Sequence, residues 1–241
     1  MRKFVAPLLL LLSLVCSGPI LARERNPFAT AADINLSMLL APPAADNSLQ
    51  TENEITEILK LQAVRTPEMA TRVQGDAARS VWRFADVMGP KFQVEQMPGV
   101  AAFFQRVVDT GSAVVGSYKE LWKRRRPYMH SELVKPAVKL SSSGSYPSEH
   151  ATDGTLMAIV LANMVPEKRA EIMARGLEYA NNRVVAGIHY RSDVEAGRIT
   201  GTVIAARLQT LGDFKTAYDA AKAELRGVLG LGAEPVAVIP R

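Results

Sequence analysis

The sequence contains a single cysteine, and beyond its first residues it has no long apolar run. Cys16 lies in an N-terminal segment that we expect to be removed, so the remaining chain would hold no disulfide. After that segment, no apolar stretch approaches the roughly 18 residues of a membrane-spanning helix. These two shortages exclude a disulfide-stabilised scaffold and a bilayer-embedded fold for the mature chain.

The first 22 residues have the layout of a secretory signal peptide. Two basic residues precede an almost wholly apolar run over residues 4–15, which is too short to span a bilayer. Cleavage is predicted after Ala22, with sites after Ser17 or Gly18 as alternatives. We therefore expect a periplasmic or secreted product without a transmembrane anchor.

The charge balance is mildly basic and concentrated in one place. The formal charge is +5, and removal of residues 1–22 takes away two basic residues and no acid, so 5 − 2 leaves +3. Much of this excess lies in the run from Lys123 to Arg126. Aromatic residues, which stack on nucleic-acid bases, rarely interleave with it, so a small anion is favoured over a nucleic acid. Lys123, Arg124 and Arg125 are interpreted as a solvent-exposed basic face.

The hydrophobic pattern predicts an all-α fold. Apolar residues recur at helical spacing and strand-like alternation is scarce, so we expect a compact multi-helix bundle in a single domain, residues 23–241. An irregular N-terminal arm, about residues 23–47, is expected to lie over it. The apolar tail at residues 236–239 or the arm could mediate a homo-oligomer, or could fold back on its own subunit. Helices are predicted from a Thr51 capping box, over 66–88, after Pro98-Gly99 with apolar residues to Val108, over a segment from Ser117 that ends at Arg126, and over 151–164, 166–181, 193–211 and 214–229.

Residues 182–193 place a histidine, a carboxylate and an arginine close together. His189 and Asp193 are four residues apart, so on a helix they would lie one turn apart on one face. A carboxylate there can accept the proton of one ring nitrogen and leave the other nitrogen free as a nucleophile. Arg183 supplies a planar cation suited to phosphate oxygens. For the pair alone, a structural hydrogen bond is the alternative.

Two further stretches offer groups that bind anions. Ser148, Glu149 and His150 are predicted to form the first turn of an apolar helix, whose free N–H groups and dipole favour phosphate. A serine-rich linker capped by Ser148 is the alternative. Lys119 and Arg126 are seven residues apart, so on one helix they would face the same way, and the following proline would end that helix at Arg126.

Together these stretches resemble the three-part signature of the type-2 phosphatidate phosphatase superfamily, which includes bacterial class A non-specific acid phosphatases and vanadium haloperoxidases. The first part is Lys119 followed after six residues by Arg126-Pro127. The second is Pro147-Ser148-Glu149-His150, and the third is Asn182-Arg183, then His189 after five residues and Asp193 after three. The preceding helical region and the leader are most similar to the class A acid phosphatases.

The resemblance implies a fold, a reaction and a role for each residue. The fold would be a helical bundle of the acid phosphatase and vanadium haloperoxidase type. His189 would attack phosphorus and become a phosphohistidine, Asp193 would hold its ring, and His150 would protonate the leaving alcohol and later activate water. The phosphoryl oxygens would be held by Lys119, Arg126, Arg183, the Ser148 hydroxyl and the backbone amides of Glu149 and His150.

The implied reaction uses a small-molecule phosphate ester and needs no cofactor, because prearranged donors and cations stabilise the transferred group. With two of three histidines committed, His130 alone cannot form a zinc site. An acidic pH optimum is expected, since His150 must be protonated in the first step.

Two positions depart from the family pattern, which usually has glycine at Glu149 and serine at Asn182. Asparagine can still form hydrogen bonds. A Glu149 carboxylate facing the phosphate would be repelled by roughly 1 to 4 kcal/mol at about 4 Å. We expect its side chain to point away and to pair with Arg191 or with one of the basic residues 123–125.

The sequence predicts an exported, metal-independent acid phosphatase and leaves three alternatives open. A vanadate-dependent haloperoxidase would use the same cationic cradle, because vanadate mimics the geometry of phosphoryl transfer. An exported lipid phosphate or diphosphate phosphatase could act from the aqueous side. A catalytically weakened anion-binding homologue would follow if Glu149 had disabled the site.

Overall fold

The computed structural model describes residues 26–232, so the predicted signal peptide, Cys16 and the apolar tail at 236–239 lie outside the described residues. Within residues 26–232 all regular structure is helical and no strand occurs, which confirms the all-α prediction. The α-helices are α1 (Leu49–Ala63), α2 (Pro67–Gly75), α3 (Ala85–Met88), α4 (Pro98–Trp122), α5 (Pro127–His130), α6 (Glu149–Met164), α7 (Arg169–Val185), α8 (Arg191–Leu208) and α9 (Gly212–Leu229).

The N-terminal arm, residues 26–47 of the described chain, contains one turn of 3-10 helix and is otherwise irregular. Its apolar side chains, including Phe28 and Leu36, are buried in the main hydrophobic core. The backbone N–H of Phe28 donates to the Thr110 hydroxyl at 2.9 Å, and that of Leu36 donates to the Tyr118 hydroxyl at 2.9 Å. The arm therefore lies along α4 and is hydrogen-bonded to it.

Helix α6 lies at the centre of the molecule and is buried along most of its length, packed against α4, α7 and α8. Close packing with α8 depends on two glycines. A Cβ at Gly197 would overlap the Ser148 carbonyl, and one at Gly201 would lie 2.5 Å from the Thr152 carbonyl oxygen. Because α8 approaches so closely, the N-terminal ends of α6 and α8 lie side by side, and the Ser148 N–H donates to the Asp193 carbonyl at 2.9 Å.

The predicted start of the first helix is wrong. Helix α1 begins at Leu49, and Ser48 is its N-cap, whose hydroxyl accepts from the Thr51 N–H at 3.2 Å. The Thr51 capping box does not form, because the carboxylate of Glu54 is used elsewhere. It accepts from the Ser192 N–H at 2.6 Å, at the start of α8.

The predicted continuous helix over 66–88 is also wrong. Helix α2 ends at Gly75, a loop over residues 76–80 follows, and a 3-10 turn leads into the short α3. The cause is a buried ion pair, since the Asp76 carboxylate is fully enclosed and accepts from Arg175, from Arg83 and from Asn182. This long-range network breaks the helix and brings the 76–80 loop toward the ends of α6 and α7.

Lys119 and Arg126 do not lie on one helix as predicted. Helix α4 ends at Trp122, and Lys123 adopts a left-handed conformation with φ of 46°. Arg126 is extended, as the following proline predicts, and it precedes α5. The two side chains nevertheless converge, because both donate to the Gly144 carbonyl, at 2.8 Å from Lys119 Nζ and 3.2 Å from Arg126 Nη2. The remaining predicted helices are present with ends shifted by a few residues.

Candidate active site

A cavity of about 210 Å³ lies between the N-terminal end of α6, the C-terminal end of α7 and the loop that covers them. The predicted site residues that line it are Lys119, Arg126, Glu149, His150, Arg183 and His189. Its rim is completed by Ala77, Val138, Lys139, Leu140, Ser141, Ser143 and Ile188. The three separated sequence stretches therefore meet at one place.

His189 lies just before α8, and its two ring nitrogens have different partners. Nδ1 is 3.2 Å from Asp193 Oδ2, and Nε2 is 3.1 Å from Arg126 Nη1. An arginine can only donate, so Nε2 accepts and the ring proton lies on Nδ1, facing the carboxylate. Burial, with Arg126 and Lys119 nearby, lowers the pKa of His189 well below its usual value. The ring is thus held neutral, with the lone pair of Nε2 next to a cation of the cavity.

The Asp193 carboxylate, in the first turn of α8, is fully buried and has donors on both oxygens. Oδ2 accepts from the Tyr190 N–H at 2.9 Å and from the Ser145 hydroxyl, in addition to His189. Oδ1 accepts from Arg124 Nη1 at 2.7 Å. Ser145 and Arg124 were not among the predicted site residues, although both orient the group that holds the His189 ring.

Arg124 corrects the interpretation of residues 123–125 as an exposed basic face. Lys123 and Arg125 are exposed, whereas Arg124 is buried between two carboxylates. Its Nη2 donates to Glu54 Oε2 at 2.9 Å while Nη1 binds Asp193, and its guanidinium stacks 4.0 Å from the centroid of the Tyr190 ring. The left-handed turn at Lys123 directs Arg124 inward, so the side chain ties α1 to the start of α8.

Replacing Arg124 by alanine is expected to lower the free energy of unfolding by about 3 to 5 kcal/mol, because two buried carboxylates lose their shared cation. The matched control is Arg125→Ala, whose side chain is 53% exposed and lies 3.6 Å from Asp46. That change is expected to cost under about 1 kcal/mol. Urea unfolding of both variants measures the difference, and equal losses would show that the buried ion pairs are not a main support of the fold.

Three cations line the cavity without a carboxylate partner among residues 26–232. Lys119 Nζ and the Arg126 guanidinium bind carbonyl oxygens, and Nε and Nη1 of Arg183 are buried with no hydrogen-bond partner. Burial lowers the pKa of Lys119 to about 8, helped by the Arg126 charge, and lowers that of Arg183 to about 10. Buried cations that repel one another and lack counter-charges are characteristic of a site that receives an anion.

At the start of α6 the three predicted residues have different surroundings. Ser148 is fully buried and caps the helix, where its hydroxyl accepts from the Ala151 N–H at 3.3 Å, and it is not among the residues that line the cavity. His150 is half-buried, and its Nε2 is 3.1 Å from the Ala77 carbonyl oxygen. A carbonyl only accepts, so Nε2 carries the proton and Nδ1 is the free basic nitrogen. Burial, together with Arg183, lowers the pKa of His150 well below its usual value.

Glu149 pairs with neither Arg191 nor any of residues 123–125, so the predicted partner is wrong. Its Oε1 lies 2.8 Å from Nη1 of Arg79, a residue of the 76–80 loop. The sequence pattern around Arg79 predicted a helix and gave no signal for this contact. The sequence did not predict this loop, because it forms around the long-range contacts of Asp76 with Arg175 and Asn182.

Residues 102–215 match the model of the PAP2 superfamily. The non-specific acid phosphatase of Salmonella typhi is 30% identical over 228 residues, which cover 90% of this chain and 91% of that protein. The chain belongs to the PAP2 superfamily. The acid phosphatase of Zymomonas mobilis is also 30% identical, over 79% of this chain and 75% of its own length. The resemblance to bacterial acid phosphatases expected from the motifs is therefore confirmed.

A solved PAP2 structure shows the same fold. The transmembrane PAP2-type phosphatidylglycerolphosphate phosphatase from Bacillus subtilis superposes with a TM-score of 0.52 at 17% identity, covering 68% of this chain and 87% of that one. In the PAP2 chain described here, no helix within residues 26–232 is both long and apolar enough to cross a membrane. The same residues contain no cluster of three or more histidine, cysteine or acidic side chains suited to a metal ion.

Proposed function

We propose that this protein is an exported acid phosphatase that hydrolyses small phosphate monoesters through a phosphohistidine intermediate, without a metal ion. The observation that carries the proposal is a group of three cations that have no carboxylate partner within residues 26–232, namely Lys119, Arg126 and Arg183, beside the His189 ring. The relatives named as acid phosphatases support the same reaction class. We further propose a signal peptide over residues 1–22 and one helical domain over 23–241.

In the first step, Nε2 of His189 forms a bond to phosphorus while the bond from phosphorus to the leaving oxygen breaks. The three cations bind the phosphoryl oxygens, as do the free N–H groups at the start of α6. Asp193 keeps the proton on Nδ1 and stabilises the positive charge that develops on the ring. His150 in its protonated form gives a proton to the leaving oxygen, while its Nε2–H stays bound to the Ala77 carbonyl.

In the second step, His150 is neutral and its free nitrogen removes a proton from a water molecule. The water oxygen forms a bond to phosphorus, and the bond between phosphorus and Nε2 of His189 breaks. Inorganic phosphate leaves with the proton balance restored. One histidine thus serves as acid and then as base, which requires it to lie opposite the nucleophile across the bound group.

The directions of the two histidine pKa shifts favour activity at acidic pH. An ordinary histidine would be protonated below about pH 6 and would lose its nucleophilic lone pair. Burial and the charges of Arg126, Lys119 and Arg183 lower the pKa of His189, which opposes protonation of its ring as the pH falls. The lowered pKa of His150 means that its protonated fraction rises only as the solution becomes acidic. Acidic pH therefore favours the protonated form of His150 that the first step requires.

The proposal is tested by hydrolysis of p-nitrophenyl phosphate at pH 5 and pH 7 after dialysis against a chelator, with and without vanadate. We expect turnover that survives chelation, is faster at pH 5 and is inhibited by vanadate, which occupies the phosphoryl site. Bromination of a phenol in vanadate and peroxide would instead identify a haloperoxidase. Phosphate binding without turnover of any ester in a panel that includes lipid phosphates would identify an anion-binding protein.

A further inference from the structure

Glu149 introduces a negative charge into a cavity built for an anion. Glu149 is among the residues that line the cavity, along with Lys119 and Arg183. A carboxylate of a residue that lines the cavity repels a bound phosphate dianion. The repulsion is stronger where water is partly excluded, because the local dielectric constant is lower. A cation bound to this carboxylate would reduce its repulsion of a bound phosphate.

Arg79 is placed to do so. Its Nη1 lies 2.8 Å from Glu149 Oε1, its Nε donates to the buried Asp153 carboxylate, and its Nη2 donates to the Ser112 hydroxyl at 2.8 Å. Ser112 belongs to α4 and Asp153 to α6, so the guanidinium is held between two core helices. Its side chain is 24% exposed, a low value for an arginine on a loop.

We propose that Arg79 is a positioning residue of the phosphate site, which holds the Glu149 carboxylate in place and offsets part of its negative charge. The inference rests on the proposed function, because the ligand whose binding is protected is the phosphoryl group. A glutamate in the first turn of α6 also interacts favourably with the helix dipole. Arg79 adds the cation that keeps this glutamate compatible with a second anion beside it.

The charges of Arg79 and Glu149 have opposite effects on the pKa of Lys119, one of the cations proposed to bind phosphate. The pKa of Lys119 is lowered mainly by burial, and of the charges around it Glu149 raises the pKa while Arg79 lowers it. Both members of the pair thus act on the same cavity with opposite sign. Removing one member should therefore change phosphate affinity, whereas removing both should change it little.

The experiment is a double-mutant cycle on phosphate affinity. The inhibition constant of inorganic phosphate against p-nitrophenyl phosphate is measured for Arg79→Gln, Glu149→Gln and the double variant, and binding is checked by calorimetry. We expect about 10-fold weaker binding in Arg79→Gln, about 3- to 10-fold tighter binding in Glu149→Gln, and a return to within about 3-fold of the native value in the double variant. Arg79→Lys keeps the charge and is expected to stay within about 3-fold.

Two controls separate charge from folding. Arg198→Gln removes an exposed arginine that pairs with Glu195 on α8, away from the cavity, and should leave the phosphate constant unchanged. If Arg79→Gln fails to fold because Asp153 is left buried without its partner, the cycle is repeated with Asp153→Asn in every variant. That background removes the stranded carboxylate and keeps the comparison of Arg79 with Glu149.

Equal weakening in Arg79→Gln and in the double variant would overturn the inference, since it would mean that Arg79 acts only as a structural brace. Failure of Glu149→Gln to tighten binding would overturn it as well. A native protein that neither binds phosphate nor hydrolyses the ester contradicts the proposed function itself. Native activity without compensation in the double variant contradicts only the role of Arg79.

Discussion

Replacing His189 by alanine is expected to lower turnover of p-nitrophenyl phosphate by at least about 10⁴-fold, because the covalent route loses its nucleophile. The same variant should accumulate no acid-labile phosphate on the protein when a labelled ester is mixed with it and quenched in base. The cations that bind phosphate are untouched, so the inhibition constant of inorganic phosphate should change far less than the rate. This split between affinity and rate identifies the residue that forms the bond.

The chain offers a matched control for this substitution. His130, the last residue of α5, is the third histidine of the sequence and does not line the cavity. His130→Ala should retain the native rate and the native labelling. Labelling that persists in His189→Ala at another residue would refute the phosphohistidine assignment, and a rate loss shared equally by both variants would point to a folding defect.

The position of Asp193 explains how the His189 ring can stay neutral while Nε2 keeps its lone pair. A carboxylate bound only to the ring would raise its pKa and favour the protonated form. Here the same carboxylate also accepts from Arg124, Ser145 and the Tyr190 N–H. These donors share its negative charge, so Asp193 fixes the tautomer while burial and the cavity cations keep the ring unprotonated.

Most of the residues that line the cavity could be predicted from the sequence, because the proposed chemistry requires particular residue types in a recurring order. Six of the eight predicted site residues line one cavity, and Asp193 contacts the His189 ring. Ser148 is the exception, since its hydroxyl caps α6.

The groups that orient those residues could not be predicted, because they act through contacts between distant parts of the chain. The sequence predicted Arg124 to be one of three solvent-exposed basic residues. In the structure, the left-handed turn at Lys123 directs its side chain toward Glu54 and Asp193. Arg79 lay in a stretch with helical periodicity, which the buried Asp76 interrupts. Local propensity was overridden in both cases by buried ion pairs, for which a single sequence gives no sign.

Replacing His150 by alanine is expected to affect substrates according to their leaving group. An alkyl phosphate such as glycerol phosphate needs a proton on its departing oxygen, so its rate should fall by about 10² to 10⁴-fold. The p-nitrophenolate ion leaves without a proton, so formation of the phosphoenzyme from that ester should fall much less. A ratio of alkyl to aryl rates that matches the native ratio would exclude His150 as the general acid.

The same variant should stall after the first step, because the base that activates water is the residue removed. With p-nitrophenyl phosphate we expect a burst of about one p-nitrophenolate per active site, followed by slow turnover, and more acid-labile phosphate on the protein than in the native enzyme. Rapid mixing with an acid-free quench measures both. The double variant with His189→Ala should show no burst, since the released phenolate must be matched by phosphate on His189.

The rise in alkyl phosphate turnover at low pH, which follows protonation of His150, should also disappear in His150→Ala.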